Sequence, residues 1–373
     1  MKSNNVHWER LGNLVEPHKH RCGDNNAIVS GVDINKQFIS TRANLEGVDV
    51  SSYYSVPPKH FACNLMHIGR DIRIPIAYNN TENTYVVTSA YYIFRVKESR
   101  KKDILEEYLY MFFNSREKDR LTWFYTDGSV RGNLPEQRFL DIQVPLFDTL
   151  EEQQTIVDAW KSLRNIKEQN EALAAPLMQL CQSYIQECKY KYESKELRPY
   201  IHECTERNYV LQTKEVRGMS TQKEFRVPQS RVDYDKLDNY KVVKNNEFVF
   251  VPTTDTWKCL AICQNTESIP VVVSPIYCVF KVDENYIIPA FLHLYCKRTE
   301  VDRYARFHSW GSARENFNFV DMQQLQIPLP PIEVQNAIVS LYQCALEYKK
   351  IAAEADAQSR SICSALMQHA INN

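Results

Sequence analysis

Two stretches of the chain carry apolar residues at the alternating three- and four-residue spacing that an α-helix brings to one side. In the first, Leu163, Ile166, Asn170, Leu173, Leu177, Leu180 and Tyr184 recur in this way, which predicts the packing seam of a coiled coil. In the second the seam is built from smaller residues, Leu341, Ala345, Tyr348, Ala352, Ala355, Ile362 and Leu366, and small residues admit the close approach of a facing helix. Each stretch has its own start signal. Thr149 followed three residues later by Glu152 fits a capping box, and Pro331 stands in a first-turn position just ahead of Ile332 and Glu333. Pro176 falls inside the first stretch and predicts a kink or a short break, because a mid-helix proline removes a donor and crowds the preceding turn. With roughly 40 residues at ~1.5 Å rise per residue, each helix would be about 60 Å long, the scale of a spacer between two globules.

Outside the helices the pattern changes to short β-branched and aromatic runs of strand length. Thr84–Thr88 and Tyr91–Phe94 precede the first long helix, and Glu247–Val251, Val271–Val273 and Tyr277–Phe280 precede the second. Leu105–Phe113 and Ile288–Cys296 read as short helices. Both globules are therefore mixed sheet and helix.

The chain also repeats itself. Asp127-Gly128-Ser129-Val130-Arg131-Gly132-Asn133, followed by Ile142-Gln143-Val144-Pro145-Leu146, returns as Trp310-Gly311-Ser312-Ala313-Arg314-Glu315-Asn316, followed by Leu325-Gln326-Ile327-Pro328-Leu329. Gly, Ser, Arg, Asn, Gln, Pro and Leu all fall at one constant offset, and the same offset pairs Glu117-Lys118-Asp119-Arg120 with Glu300-Val301-Asp302-Arg303. Tyr92–Val96 answers Cys278–Val282, and Leu150–Val157 answers Ile332–Val339. The order is globule, helix, globule, helix.

Composition narrows the class of protein. At 373 residues, 44% hydrophobic and 24% charged, the chain suits two ordinary globular units, and no apolar run reaches the length of a membrane span. Its polar beginning, Met1-Lys2-Ser3-Asn4-Asn5, is unlike the apolar core of a signal peptide, and the protein is expected in the cytoplasm. The 11 cysteines have no repeated short spacing and read as free thiols. A net charge of -1 leaves nucleic-acid binding to the distribution of charge. Basic residues gather between Arg95 and Arg138 and again between Lys297 and Arg314, interleaved with aromatics and amides; arginine suits phosphates and guanine edges, and amides suit adenine. No phosphate-cradling glycine loop, dinucleotide fingerprint, nucleophile elbow or paired-histidine metal helix occurs. An amino-methyltransferase would carry an Asn-Pro-Pro-aromatic or Asp-Pro-Pro-Tyr segment, and the chain has neither. His18, His20 and Cys22 read as a solvated basic turn, since structural zinc needs four ligands. The chain reads as non-catalytic.

Gly311-Ser312-Ala313-Arg314-Glu315-Asn316 running through Leu325-Gln326-Ile327-Pro328-Leu329-Pro330-Pro331-Ile332-Glu333-Val334-Gln335 resembles the Gly-Ser, Asn, Ile-Pro-Leu-Pro-Pro and Glu-x-Gln run of the specificity (S) subunit of Type I restriction-modification enzymes, and it occurs twice. Trp8–Gly12, Val32–Ile39 and Asn64–Arg70 are similar to that family's first recognition domain. The first copy departs in having Val144-Pro145-Leu146-Phe147 without the double proline. The resemblance implies target-recognition domains at 1–148 and 196–329, a central conserved helical region at 149–195, and a C-terminal conserved helical region at 330–373. The two helices would pack as an antiparallel coiled coil within a pseudo-twofold repeat, with Leu163, Ile166, Leu173, Leu177, Leu180, Leu341 and Leu366 as packing residues. It implies recognition of a bipartite site in double-stranded DNA. Two modification subunits would supply S-adenosylmethionine-dependent adenine methylation, and restriction subunits would supply translocation and cleavage using ATP and Mg; this chain would bind none of those cofactors. DNA contacts are expected from Arg120, Ser129, Arg131 and Asn133 in the first domain, from Arg303, Arg306, Ser312, Arg314 and Asn316 in the second, and from Lys101 and Lys102 at phosphates. A specificity subunit of a related bipartite-site system, a coiled-coil adaptor that binds protein, and a stand-alone methyltransferase or nuclease are the alternatives.

Overall fold

The computed structural model describes residues 6–41, 43–66, 68, 72–128, 132–229, 231–253, 259–310 and 315–372, except for the side chains of 363, 364 and 366–372. The chain divides into two compact units, Met1–Asn170 with Lys350–Asn373, and Glu171–Lys349. The border runs through both long helices, Leu150–Lys191 and Ile332–Asn372, so each unit contains a globule and one half of each helix.

The first unit holds strands β1 (His7–Arg10), β2 (Val15–Pro17), β3 (Ser30–Val32), β4 (Phe38–Ser40), β5 (Tyr54–Val56), β6 (Phe61–Cys63), β7 (Ile76–Tyr78), β8 (Tyr85–Val87), β9 (Tyr92–Val96) and β10 (Gln143–Leu146). A four-stranded antiparallel sheet has the order β2-β9-β6-β7, and β1-β10, β3-β4 and β5-β8 form two-stranded pairs. The second unit holds β11 (Ser194–Glu196), β12 (Ile201–Cys204), β13 (Gly218–Met219), β14 (Phe225–Arg226), β15 (Lys241–Val243), β16 (Phe248–Phe250), β17 (Ile262–Gln264), β18 (Val271–Val273), β19 (Cys278–Val282) and β20 (Gln326–Pro328). Its sheets are β12-β19-β16-β17, β11-β20, β13-β14 and β15-β18. Strand for strand, the second topology is the first one repeated. The repeat extends to side chains, since Phe61 lies opposite Phe94 with rings stacked at 4.9 Å, and Phe248 opposite Phe280 at 5.0 Å.

Strand alternation explains why the central strands are apolar on both sides. Phe61 and Cys63 face the main core of the first unit while Ala62 faces a smaller cluster with Val56, Val87 and Ile93. Phe248 and Phe250 face the main core of the second unit, and Val249 faces the cluster of Val243, Val271 and Val273. Each main core is covered by a short helix, Glu106–Phe113 or Pro289–Cys296, within a residue of the segments the sequence predicts.

Both long helices begin where the sequence places their signals. The Glu152 N–H donates to Thr149 Oγ1 at 3.3 Å, and the Thr149 hydroxyl donates to Glu152 Oε2 at 3.1 Å. Pro176 does not break the first helix, which is one element of 42 residues. Pro176 and Ala172, whose carbonyl loses its usual partner, are both exposed, and Ala174 and Ala175 beside them are strong helix formers.

The packed seam of the first helix lies one residue further along than the leucine pattern predicts. In the first unit its buried side is Gln153, Ile156, Val157 and Trp160, and in the second unit Ala174, Cys181, Ile185 and Cys188. Ile166, Leu173, Leu180 and Tyr184 are exposed, and Leu163 and Leu177 only half-buried. One step along a helix turns a side chain by about 100°, which carries the larger residues off the packed side. The second helix follows its predicted small-residue seam: Ala345, Ala352 and Ala355 are buried and Leu341, Tyr348 and Ile362 are half-buried, while the Leu366 side chain lies outside the described residues. Within the second unit the facing pairs run antiparallel. The Cys181 thiol lies 3.9 Å from the Ile338 carbonyl, and Tyr184, Cys188 and Lys191 line one groove with Leu341, Ala337 and Val334.

Candidate nucleic-acid interface

Each unit presents a loop on a short helix. In the first, Arg116–Phe124 ends at the cap residue Tyr125 and runs into a loop closed at its feet, where the Asp127 N–H donates to the Asn133 carbonyl at 2.9 Å and the Asn133 N–H donates to Asp127 Oδ1 at 3.0 Å. Gly128 and Gly132 adopt φ of 58° and 57°, the left-handed region that glycine enters without strain. In the second unit Thr299–Phe307 runs into a loop whose feet, Trp310 and Asn316, exchange backbone hydrogen bonds at 3.1 and 2.9 Å. A neighbouring loop is tied on in both: Leu134 N–H donates to the Leu65 carbonyl at 2.8 Å, and Phe317 N–H to the Pro252 carbonyl at 2.7 Å. Asn133 and Asn316 thus close the loops through their backbones. Thr253 Oγ1 donates to Asn316 Oδ1 at 3.4 Å, and Asn133 Oδ1 is buried without a partner among the described residues. Ser129, Arg131, Ser312 and Arg314 lie outside the described residues.

The helix under each loop is fixed from behind by a buried lysine. Lys36 occupies the turn between β3 and β4 at φ 65°, and its Nζ donates to Asp119 Oδ1 at 2.7 Å and to the Phe113 carbonyl. Lys223 occupies the turn between β13 and β14 at φ 64°, and its Nζ donates to Asp302 Oδ1 at 2.7 Å and to the Cys296 carbonyl. The same aspartate oxygens accept the Ile74 and Leu260 N–H groups at 3.2 and 3.1 Å. Tyr110 donates to the Lys36 carbonyl at 2.7 Å, and His293 Nε2 lies 3.2 Å from the Lys223 carbonyl. Burial pulls the Lys36 ammonium below its usual range against the opposing pull of Asp119. Burial, with Lys297 nearby, lowers the His293 imidazole to about 4.

With these aspartates neutralised, the solvent side of each helix is cationic and aromatic. Arg120, Trp123 and Phe124 are exposed in the first unit, and Arg303, Arg306, Phe307 and Trp310 in the second. None of these arginines has an ion-pair partner among the described residues. Other basic positions divide differently. Lys101 pairs with Glu98 at 2.8 Å beside the exposed Lys102, on the turn that holds the first long helix. Lys118 is buried over the Phe112 ring at 4.4 Å. Lys297 donates to the Tyr342 hydroxyl, and Arg298 donates to Gln182 and Gln186, so both serve the helix pair.

Two fully buried glutamines join the long helices to the globules. Gln153 Oε1 accepts the Leu105 N–H at 3.0 Å and its Nε2 donates to the Asp103 carbonyl at 2.8 Å. Gln335 Oε1 accepts the Ile288 N–H at 2.8 Å and its Nε2 donates to the Tyr286 and Pro330 carbonyls at 2.8 and 2.9 Å. Gln335 ends the Glu-x-Gln run of the sequence motif. The run names the position; its bonds to a loop many residues away are set by the tertiary fold.

No group of three or more His, Cys, Asp or Glu side chains among the described residues is arranged to hold a metal ion. His18 packs against His20 and His60 with ring centroids 4.4 Å apart, and burial followed by the two neighbouring rings lowers it to about 4. The described cysteines are free thiols, and burial pushes Cys204, Cys263 and Cys296 up to about 12, where they are poor nucleophiles. No helix among the described residues is long and apolar enough to cross a membrane.

A protein of two like units, each with a capped loop on a cationic helix and half of a helix pair, is the class these observations define. Among solved structures the chain is similar to the Type I restriction-modification S subunit of M. genitalium, at 10% identity and TM-score 0.63 over 97% of this chain and 96% of that one. It also matches the HsdS subunit of Thermoanaerobacter tengcongensis, at 15% identity and TM-score 0.40 over 96% and 95%. No protein-family model and no curated protein matches it. The first similarity shows that this chain has the S-subunit fold over 97% of its length, as the repeated Gly-Ser and Pro-Leu runs imply.

Proposed function

We propose that this chain is the DNA-binding specificity subunit of a Type I restriction-modification complex, each unit reading one half of a bipartite target in duplex DNA. The observation that carries the reading is the duplicated loop on a helix whose solvent side bears unpaired arginines, in a chain with the S-subunit fold. Arg120, Arg303, Arg306, Lys101 and Lys102 supply phosphate contacts and hence salt-dependent affinity; Ser129, Arg131, Asn133, Ser312, Arg314 and Asn316 are the candidates for reading base edges. The long helices hold the half-sites at a set spacing and dock two modification subunits. Methylation with S-adenosylmethionine belongs to those subunits, cleavage with ATP and Mg to restriction subunits, and this chain is non-catalytic.

The test is duplex binding by the chain with its modification subunits while the gap between half-sites is varied. Binding falls sharply when a base pair is added to or removed from the gap, and weakens linearly in log–log form with salt. Equal affinity at every gap length overturns the reading.

A further inference from the structure

We infer that Phe124 and Phe307 are equivalent base-contacting side chains that insert into the bound duplex, each steered by the arginine one turn earlier. The inference deepens the proposed function and rests on it.

Phe124 and Phe307 end the corresponding helices Arg116–Phe124 and Thr299–Phe307 and are 75% and 80% exposed. A single exposed phenylalanine needs no explanation. Here the same ring stands outward at the same structural position in both halves of a repeat that differs at most other positions, and packing inside the unit cannot account for either. Trp123 and Trp310 extend the aromatic surface at 47% and 74% exposure.

The charge beside the rings selects the occupant. Arg120 and Arg303 precede the phenylalanines by four residues and so lie on the same side of their helices. In the second unit Glu300 is paired with Lys189 and Arg298, and Asp302 with Lys223, so Arg303 and Arg306 face solvent uncompensated. In the first unit Asp119 is taken by Lys36, leaving Arg120 and Arg116 exposed beside Glu117. A projecting apolar ring flanked by free arginines fits a ligand with an anionic backbone and flat apolar faces inside it, which describes nucleic acid. Lys36 and Lys223 hold the helices against the globule, so the ring is presented on a rigid element next to the reading loop.

The experiment uses the complex of this chain with its modification subunits and the duplex that the wild-type complex selects from a randomised library. 2-Aminopurine is placed singly at each position of that duplex, where loss of stacking brightens it. The wild-type complex brightens one position in each half. Phe124→Ala abolishes the signal in one half and weakens binding roughly 5- to 150-fold, the range for a lost base–aromatic stack; Phe307→Ala does the same for the other half. Arg120→Ala weakens binding and keeps the brightening. Because both rings are exposed, the variants melt at the wild-type temperature. Undiminished signal and affinity in both phenylalanine variants overturns the inference while the proposed function stands, and so does loss of modification-subunit binding with duplex contacts unchanged. Recovery of no preferred duplex by the wild-type complex overturns both.

Discussion

Gln335 Oε1 accepts the N–H of Ile288 at 2.8 Å, joining the first turn of the second long helix to the segment that opens the short helix Pro289–Cys296. Gln153 and Leu105 form the same bond in the other unit. Replacing Gln335 with Leu fills the space but leaves the Ile288 N–H and the Tyr286 and Pro330 carbonyls without this partner. At about 1–3 kcal/mol per buried unsatisfied group, partly relieved by relaxation, the variant loses about 2–4 kcal/mol in denaturant unfolding. A change below about 0.5 kcal/mol would show that the glutamine does not hold the helix.

Lys223→Met removes the cation paired with the Asp302 carboxylate, which keeps the Leu260 N–H and the weaker Cys259 thiol donor. Breaking a buried pair from one side costs about 3–5 kcal/mol. Adding Asp302→Asn removes the orphaned charge while keeping the acceptor, so the double variant is more stable than Lys223→Met alone. Equal stability of the two would contradict the pairing.

Stability falls with acid over a defined window. His18 and His293 both sit at about 4 when folded, against 6.5 for an ordinary histidine. Between those values the unfolded chain takes up protons that the folded chain refuses, so stability is fully present above pH 6.5 and drains as pH falls toward 4. Melting temperatures from pH 7 to 5 should decline, and His293→Gln, which cannot take the proton, should flatten part of the decline. An identical slope in the variant would remove His293 from the account.

On the first long helix Leu173 and Cys181 reverse the order that residue size suggests. Leu173 is 50% exposed while Cys181 is fully buried, and Ala345 on the second helix is fully buried too. Leu173→Ser should change the stability of the isolated chain by less than about 0.5 kcal/mol, whereas Ala345→Leu overpacks its seam at about 1–3 kcal/mol. The reverse ranking in thermal melts would restore the leucine seam.

These contrasts show what can be read from sequence. The constant offset between Gly128-Ser129 and Gly311-Ser312 anticipates a repeat that the structure extends to every strand pairing, because turns and alternating apolar positions are local signals. The helix seam slipped because residue size suggested Leu173 and Leu180, while close approach between helices buries Ala174 and Cys181. Lys36 and Lys223 were invisible because a lysine in a hairpin turn looks solvated until the fold brings Asp119 and Asp302 to it. The phenylalanines 124 and 307 carry a signal in hindsight, being identical at the offset of the repeat, but only exposure separates them from core residues.

The most direct test of the central claim is single-molecule sequencing of adenine methylation in DNA from cells that express this chain with its modification subunit. The account predicts one bipartite motif with a fixed gap, and predicts that Arg314→Ala degrades one half-site alone, by about 1–3 kcal/mol if the contact is to a base. Methylated half-sites without a fixed gap, or an active methyltransferase whose motif does not depend on this chain, would contradict it.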